Sequence, residues 1–445
     1  MSKLIKDSFL VASTKVISLA LGLISSIFFI RLLGAEGKGD LALIEVAAGV
    51  FFLLTTLNAN ISIIHFVAKE NTDVKKLLGL TFFLILISIC ITAVIFSILF
   101  FTNSLSRLLP ESNLKVYGSI TLILLLVNEF KELLSAFLRG SKSFVDLYKS
   151  SLLYAVFRLC LFAGLYCLYY FYGARFSTSF LIGMHLLTIL VMTFSILRFF
   201  RIKFPIKPDF GFSYSDVKPF ILFSFIGYMA GLLNFLSLSI DLWIVDSYLG
   251  IKQLGHYALA LGLCAMVSQI PTSLRTVMLP YLSSSESKID QFYKIKFFSR
   301  VTFSFSLAIA IVLTFTSHIV VPFLYGNDFA PAAIPLRILV FAMVVFAFKA
   351  IFVTHNISND TQQYNLISHC IGIVALVILG FTLIPEFGIE GASFAVLISY
   401  IISTSYIFIV ALTKNKLPWA NYFFITKKEI VPVFKIFKNF VSRKG

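Results

Sequence analysis

Residues 33–43 read LGAEGKGDLAL, and residues 249–259 read LGIKQLGHYAL. The two stretches, called the echo below, lie 216 positions apart and share five identical residues. A long apolar run precedes and follows each copy. Such a repeat in an apolar chain is typical of two homologous bundles of membrane helices, which commonly form a substrate site between them.

The composition of the chain agrees with a membrane protein. Hydrophobic residues make up 59% of the 445 residues, charged residues 13%, and the mean hydropathy is +0.94. A membrane span needs roughly 20 apolar residues. The candidates, six before residue 200 and six after residue 218, are 9–33, 41–68, 77–102, 117–138, 147–172, 177–198, 219–246, 255–282, 298–322, 332–355, 364–384 and 390–412. The sequence therefore predicts an all-α integral membrane protein with twelve transmembrane helices in two six-helix lobes around a central cavity.

The predicted domains follow from the same runs. They are an N-terminal lobe (1–203), a cytoplasmic linker (204–218), a C-terminal lobe (219–412) and a basic tail (413–445). The first span is too long and lacks the cleavage site of a signal peptide. The linkers are too short to hold a soluble domain. In the tail, apolar residues recur at helical intervals between lysines, which fits either an interfacial helix or a loose basic segment.

The positions of lysine and arginine predict the orientation. With the N-terminus inside, the inner segments hold 25 of the 37 basic residues and the outer ends hold six. Because inner loops are enriched in these residues, both termini are predicted to be cytoplasmic. The formal charge of +16 is largely a topology signal, and its dispersal over loops on one side argues against nucleic acid binding.

The six remaining cations lie inside predicted spans. Each costs about 2.5–3.5 kcal/mol at a span centre unless it reaches the interface, pairs or faces water. Lys15 and Arg337 lie close enough to a span end to reach the interface, Arg275 is intermediate, and Arg158 and Lys131 are not easily placed in lipid. All six are candidate substrate-binding cations: Lys15, Lys131, Arg158, Arg275, Arg337 and Lys349.

Polar residues at helical spacing support a hydrophilic cavity. In span four, Asn128, Lys131, Glu132, Ser135 and Arg139 form one stripe. Spans seven and eight carry similar stripes, ending at Asp241 and Arg275. Buried polar groups can also simply join helices, but stripes in both halves favour a shared cavity.

The predicted cavity is net positive, because acids inside spans are fewer than the cations. Cations in a low dielectric suit an anionic substrate such as a phosphate or pyrophosphate headgroup. The acids are candidates for ion coupling, with Glu129 or Glu132 expected to neutralise Lys131 when no anion is bound. They are Glu45, Glu129, Glu132 and Asp241.

The sequence gives little support for metal binding or for enzyme catalysis. The five cysteines lie in apolar spans without metal-ligand spacing, and the six histidines are scattered. Each histidine is interpreted as a packing residue or the partner of a local hydrogen bond. The chain has no nucleotide loop, nucleophile elbow or paired-acid motif, so it is predicted to be no enzyme and to need no cofactor or metal.

Five stretches carry a resemblance to a known family. They are RLLGAEGKGDLAL (31–43), FLRGSKSF (137–144), LGHYALALGLCAMVSQIPTSLRTVMLPYLS (254–283), YGNDFAPAAIPLRIL (325–339) and LIPEFGIEGASFAVLIS (383–399). In this order and spacing the chain resembles the polysaccharide repeat-unit flippases of the Wzx type, in the MOP superfamily. The resemblance covers both halves and implies twelve helices, two lobes and alternating access. The lipid II flippases of the superfamily typically carry two further helices, which this chain lacks.

The resemblance also implies a substrate and partners. The substrate would be an oligosaccharide repeat unit of O-antigen or capsule on a polyprenyl pyrophosphate, moved to the outer leaflet of a bacterial inner membrane. Coupling to H⁺ or Na⁺ and contact with a polysaccharide polymerase and a chain-length regulator are further expectations.

Two other functions compete with this interpretation. A drug or metabolite exporter of the same fold predicts an acidic or apolar cavity. A membrane polymerase or glycosyltransferase usually needs a sizeable outer loop with catalytic acids or arginines.

Overall fold

The computed structural model describes residues 2–56, 59–68, 73–102, 104–110, 113–265, 278, 287–359, 361–414 and 421–425. Nearly all of these residues are helical, and none of them is in a strand. The helices are α1 (Ser2–Thr56), α2 (Ala59–Ala68), α3 (Val74–Phe101), α4 (Leu114–Gly140), α5 (Phe144–Tyr172), α6 (Thr178–Lys203), α7 (Tyr214–Leu249), α8 (251–265), α9 (Lys288–Tyr325), α10 (Ala333–Ser358) and α11 (Gln363–Thr413). The protein is an all-α integral membrane protein.

Two helices are much longer than a membrane is thick. α1 has 55 residues and α11 has 51, which corresponds to roughly 75–80 Å against a hydrocarbon core of roughly 30 Å. Each is broken by one glycine in the left-handed region, Gly34 (φ 70°) in α1 and Gly388 (φ 60°) in α11. Each helix therefore holds two predicted spans joined by a one-residue break, where the sequence predicted linkers of several residues.

Left-handed glycines also mark other turns between helices. Gly250, the echo partner of Gly34, has φ 78°, and Gly173 and Gly326 have φ 64° and 98°. Only glycine adopts this conformation without steric cost from a Cβ. All five of these glycines lie at turns that the sequence predicts on the outer side, and these five turns are tight.

Eight of the described helices are long and apolar enough to cross a membrane. The set includes α1 and α11, each of which the glycine break divides in two, but not α4. That helix has Glu129, Lys131 and Glu132 close together near its middle. The count of twelve crossings stays a prediction.

The chain packs into two compact units. Unit 1 comprises Met1–Ser239, Ile251–Gly255 and Leu324–Asp328, and unit 2 comprises Ile240–Gly250, His256–Phe323 and Phe329–Gly445. The core of unit 1 has one cluster around Ile44 and Phe162 and a second around Phe137. The core of unit 2 includes Phe352 and Ile407. The predicted lobes are defined by the repeat between the two halves of the sequence, whereas these units are defined by packing. The lobes therefore stay a prediction.

Within unit 1, the two copies of the echo touch. A Cβ on Gly39 would meet the carbonyl oxygen of Ile251, and a Cβ on Gly255 would meet that of Ala35. Ala35 and Ile251 are themselves 216 positions apart, so the contact is reciprocal, as at an interface between equivalent elements. The glycines of the echo thus allow two helix starts to pack backbone against backbone.

Polar contacts beside these glycines join three hairpins of unit 1. The Ala35 amide donates to Asp328 Oδ2 (3.1 Å), and Lys252 Nζ lies 3.5 Å from Asp328 Oδ1. Arg31 Nε donates to the Leu324 carbonyl (2.7 Å). We call Arg31, Ala35, Lys252, Leu324 and Asp328 the hairpin clasp.

The described part of the C-terminal tail, residues 421–425, packs against α9 in unit 2. Ser299 Oγ donates to the Tyr422 carbonyl (2.6 Å), and Arg300 Nε donates to that of Asn421 (2.7 Å). Burial raises the pKa of the Tyr422 hydroxyl to about 12, so it is neutral at physiological pH. The remaining residues of the predicted interfacial helix, 415–420 and 426–445, lie outside the described ranges.

Candidate functional site

Arg158 lies halfway along α5, at the depth where the sequence predicts a cavity cation. Its guanidinium carbon is 5.6 Å from the ring centre of Phe29, 5.9 Å from that of Tyr154 and 6.0 Å from that of Phe162. Cation–π attraction to these rings favours this position. Nη1 donates to the Tyr154 hydroxyl (3.2 Å), whereas Nε has no hydrogen-bond partner among the described residues. Nε is buried, so Nη2 is the donor of this half-buried side chain that stays open to a further acceptor.

A carboxylate and an imidazole lie beside Arg158. Glu45 Oε1, on α1, is 3.7 Å from His185 Nε2, on α6, and the His185 ring stacks on Phe29 with centroids 5.3 Å apart. Arg158 and Lys38 both act electrostatically on Glu45 and on His185. We call Lys38, Glu45, Arg158 and His185 the unit 1 charge cluster.

Glu45 is the exposed member of this cluster. Its side chain is 47% exposed, while the neighbouring Ile44 and Val46 are buried. It lies 11 residues after the break at Gly34, roughly 16 Å along the helix and about halfway through a hydrocarbon core. Because a charge facing lipid at that depth is costly, the exposed side of Glu45 must border water.

The predicted polar stripe of α4 forms one connected network. Lys131 Nζ donates to Asn128 Oδ1 (2.7 Å) and lies 3.9 Å from Glu132 Oε1. Arg139 Nη2 lies 2.6 Å from Glu132 Oε2. Glu132 is therefore the acid that pairs with Lys131. Glu129, the other acid predicted for this role, is buried on a different face of α4, against a cavity of about 170 Å³ lined by α1, α2, α3, α4 and α7.

The ionisable residues of unit 2 are arranged differently. The Tyr257 hydroxyl donates to Asp241 Oδ2 (2.5 Å), and both side chains are buried. Lys349, also buried, donates from Nζ to Ser403 Oγ (3.0 Å). No carboxylate among the described residues pairs with Lys349. Neither side chain is exposed as that of Glu45 is.

The other predicted cations do not join these clusters within the described residues. Arg337 Nε donates to Ser317 Oγ of α9 (2.8 Å). The side chain of Lys15 and the whole of Arg275 lie outside the described residues. The same described ranges contain no group of three or more His, Cys, Asp or Glu side chains that could hold a metal ion.

Sequence reasoning found Arg158 and Glu45 but did not connect them, and it overlooked two members of the cluster. Lys38 was counted as an outer loop cation, and His185 as a packing residue or the partner of a local hydrogen bond. The cluster combines residues of α1, α5 and α6, so no spacing along one helix could reveal it. The only available signal was that charged residues in apolar spans must find partners.

The fold is similar to that of solved transporters. An inward-facing multidrug resistance MATE family transporter of the MOP superfamily matches with TM-score 0.71 and 14% identity, over 89% of this chain and 94% of that one. Lipid II flippase MurJ, in an inward closed conformation, matches with TM-score 0.68 and 16% identity over 98% and 99%. A MOP superfamily transporter from Pyrococcus furiosus, described by the reverse polarity of its binding pocket, matches with TM-score 0.56 and 14% identity over 92% and 93%.

These similarities establish the MOP transporter fold. No curated protein matches the sequence. A family model described as "Polysaccharide biosynthesis protein" matches residues 28–335, more than half of the chain. The chain belongs to this polysaccharide biosynthesis family.

Proposed function

We propose that this protein is a flippase that moves oligosaccharide repeat units, carried on a polyprenyl pyrophosphate, from the cytoplasmic to the outer leaflet. The family and the fold support a membrane transporter of polysaccharide biosynthesis. The observation that carries the substrate assignment is the guanidinium of Arg158, which is held among aromatic rings with an unused donor, next to a water-exposed carboxylate.

This geometry suits a pyrophosphate. Guanidinium groups bind phosphate oxygens through paired, charge-assisted hydrogen bonds, and Tyr154 engages only Nη1 of the half-buried Arg158 side chain. Lys38 adds a second positive charge near the same place. The Tyr154 hydroxyl fixes the guanidinium without neutralising it. The sugar headgroup would cross in water while the prenyl chain stays in lipid.

Glu45 provides a means of coupling substrate transport to the uptake of an ion. In the absence of substrate it offsets the charges of Arg158 and Lys38. An incoming pyrophosphate competes for these cations and leaves Glu45 free to take up a proton or a sodium ion. The membrane potential favours the same direction, since two negative charges moving outward gain about 4–5 kcal/mol per 100 mV. Glu132, which pairs with Lys131 and Arg139 on α4, is a second carboxylate that an incoming anion would release from its cations.

Alternating access is compatible with the hairpin clasp. Three hairpins predicted on the outer side are held together through Asp328 and Arg31. Loading would take place from the cytoplasmic side, and breaking the clasp would accompany release. We place the protein in a bacterial inner membrane with both termini in the cytoplasm, where it would hand its product to a polysaccharide polymerase.

An exporter of organic cations is the second candidate, favoured by one observation. Glu45 lies near the Phe29 ring that stacks on His185, and an acid near aromatic rings can bind a cation. Arg158 within the same cluster opposes this function because it repels such a substrate.

The test is flipping of a lipid-linked oligosaccharide in proteoliposomes, together with binding of polyprenyl pyrophosphate and uncharged polyprenol. We expect the pyrophosphate to bind and the polyprenol not to, and Arg158→Ala to lose both binding and flipping. Arg158→Lys should retain partial activity if a point charge suffices. Arg175→Ala, an exposed arginine in the turn after α5, is the matched control. Equal binding of the pyrophosphate by wild type and Arg158→Ala would refute the assignment.

A further inference from the structure

The exposed face of α6 changes from apolar to basic along the helix. Leu187, Leu190 and Phe194 are exposed and lie at helical spacing on this face. Arg198 and Arg201 continue the same face, and both side chains are exposed. Exposed apolar residues in such a row are typical of a surface that contacts a membrane. We therefore infer that this face of α6 borders lipid and that the two arginines mark its end.

The length of α6 places its arginines at the level of lipid headgroups. The helix starts at Thr178, on the predicted outer side, and Arg198 lies 20 residues further on. This distance corresponds to roughly 30 Å along the helix, which is about the thickness of the hydrocarbon core. Arginine and lysine side chains near the ends of membrane helices extend toward the interface. Arg198 thus lies where the acyl chains end and the phosphate groups begin.

The segment between α6 and α7 stays at this level because it is fixed to the start of α3. The Asp209 amide donates to the Lys75 carbonyl, in the first turn of α3 (3.0 Å). A Cβ on Gly79 would meet the Asp209 carbonyl oxygen, so glycine permits the close approach. The Phe212 ring centre lies 5.5 Å from that of Phe83. The segment therefore crosses the end of α3 and does not extend away from it.

Two lysines and a phenylalanine of this segment are exposed after the arginines. Lys203 and Lys207 are exposed, and the Phe210 side chain is 60% exposed. Within the part of the chain that the structure describes, none of the four cations forms an ion pair with a carboxylate. We call these five residues the basic rim: Arg198, Arg201, Lys203, Lys207 and Phe210.

The single acid of this part of the sequence does not neutralise the basic rim. Asp209 is the only acid in residues 198–213. Its Oδ1 accepts a hydrogen bond from the Gly211 amide (2.9 Å), so this carboxylate is engaged in its own turn. The basic rim is therefore a positively charged surface with an exposed aromatic ring beside it.

We propose that the basic rim binds the headgroup of an anionic phospholipid, with the Phe210 ring among the acyl chains. Guanidinium and ammonium groups bind phosphate oxygens, and clusters of four or more such cations beside a membrane helix are typical of anionic lipid binding. Segments on a membrane surface combine these cations with exposed rings. The bound lipid joins α6 to the segment that crosses α3. No residue proposed to bind the transported substrate takes part, so the site goes beyond the proposed function.

The experiment measures tryptophan quenching by brominated lipids in the full-length Phe210→Trp protein, reconstituted into bilayers. Brominated phosphatidylglycerol is the anionic probe and brominated phosphatidylcholine the zwitterionic one, and the wild-type signal of the two native tryptophans is subtracted. We expect stronger quenching by phosphatidylglycerol, and a preference that falls with rising salt concentration. In the same background, Arg201→Gln/Lys203→Gln should lower the preference by up to roughly 25-fold, because each cation near an anionic lipid surface contributes about five-fold.

Arg175→Gln/Lys115→Gln is the matched control. It removes the same two charges from exposed side chains on the opposite predicted side of the membrane, and it should keep the full preference for phosphatidylglycerol. An equal loss in this control would overturn the site, because the net charge of the protein would then explain the preference.

The remaining outcomes also decide the proposal. An absence of quenching by both lipids would overturn the insertion of Phe210. Equal quenching by both lipids would overturn the anionic lipid and leave the basic rim to an acidic surface of a partner protein. If Arg201→Gln/Lys203→Gln does not insert into bilayers, Lys207→Gln replaces it. This variant should lower the preference about five-fold, and an unchanged preference there overturns the site as well.

Discussion

The charge cluster of unit 1 and two buried charged residues of unit 2 are stabilised in different ways. In unit 1, Arg158, Glu45 and His185 lie among one another, and Glu45 is 47% exposed. In unit 2, Asp241 and Lys349 are buried, and each has one neutral hydroxyl partner, from Tyr257 and Ser403. Charged side chains that pair with one another where they are exposed can exchange these partners for a substrate. Buried charged side chains that are held by a hydroxyl group are harder to rearrange. On this difference rests our proposal that the unit 1 charge cluster binds the substrate, whereas Asp241 and Lys349 join helices.

The largest effect is expected from Arg158→Gln, which keeps a polar side chain but removes the charge. A charge-assisted hydrogen bond contributes about 1.5–3 kcal/mol, so the flipping rate should fall by roughly 10- to 150-fold. Because the guanidinium is only half-buried, the unfolding temperature should stay near that of wild type. Rates in proteoliposomes and unfolding curves of the same preparation test both statements. A strongly destabilised variant would mean that Arg158 serves packing, like the charges of unit 2.

The second prediction concerns the hydroxyl that seals Asp241. Tyr257→Phe leaves a buried carboxylate oxygen without its donor, which should destabilise the protein by about 1–3 kcal/mol. Tyr154→Phe is the matched control, because it removes a hydroxyl from the half-exposed Arg158 and keeps the ring. We expect thermal unfolding of Tyr154→Phe to resemble wild type. Equal destabilisation of both variants would remove the distinction between the units.

The third prediction separates a charge from its partner in unit 2. Ser403→Ala removes the described acceptor of Lys349 and should cost about 1 kcal/mol of unfolding free energy. Lys349→Met removes the ammonium itself and fills the space with an apolar chain, so it should be close to neutral or stabilising. Denaturant unfolding of the two variants measures the sign. A severe loss of stability in Lys349→Met would show that its charge has a further partner.

The smallest effect is expected at the hairpin clasp, whose ion pair is exposed. Lys252 and Asp328 are 55% and 51% exposed, and such pairs contribute about 0.2–1 kcal/mol. Asp328→Asn should leave overall stability unchanged but increase the reactivity of a cysteine placed at Glu36 with a membrane-impermeant reagent. Lys115→Gln, a cation also predicted on the outer side, serves as the control. Unchanged labelling would show that the clasp does not hold the hairpins closed.

The helical architecture was largely predictable, because apolar runs of this length are typical of membrane-spanning helices. The echo predicted related hairpins, and Gly34 and Gly250 do share the left-handed conformation. The break lengths were not predictable, since one glycine replaced several linker residues at Gly34 and Gly388. Why the echo glycines matter also needed the structure, because the reciprocal contact of Gly39 and Gly255 is a tertiary one.

The site was predictable only in part. Arg158 stood out because an arginine in an apolar span needs a partner, yet neither His185 nor Lys38 could be assigned to it from the sequence. Glu129 and Glu132 are three positions apart and looked interchangeable as partners of Lys131. Their helical faces differ, and packing placed Glu132 in an ion-pair network and Glu129 beside a cavity.

The sequence by itself determined that the chain is a bundle of membrane helices and which few charged residues inside the spans need a partner. These properties depend on the transfer of side chains into lipid, which is local and nearly additive along the chain. Only the tertiary structure decided which charges meet, because residues of α1, α5 and α6 come together through packing of separate helices. It also decided that Asp241 and Lys349 are buried with hydroxyl partners while Glu45 is exposed, since exposure depends on neighbours that are distant in the sequence.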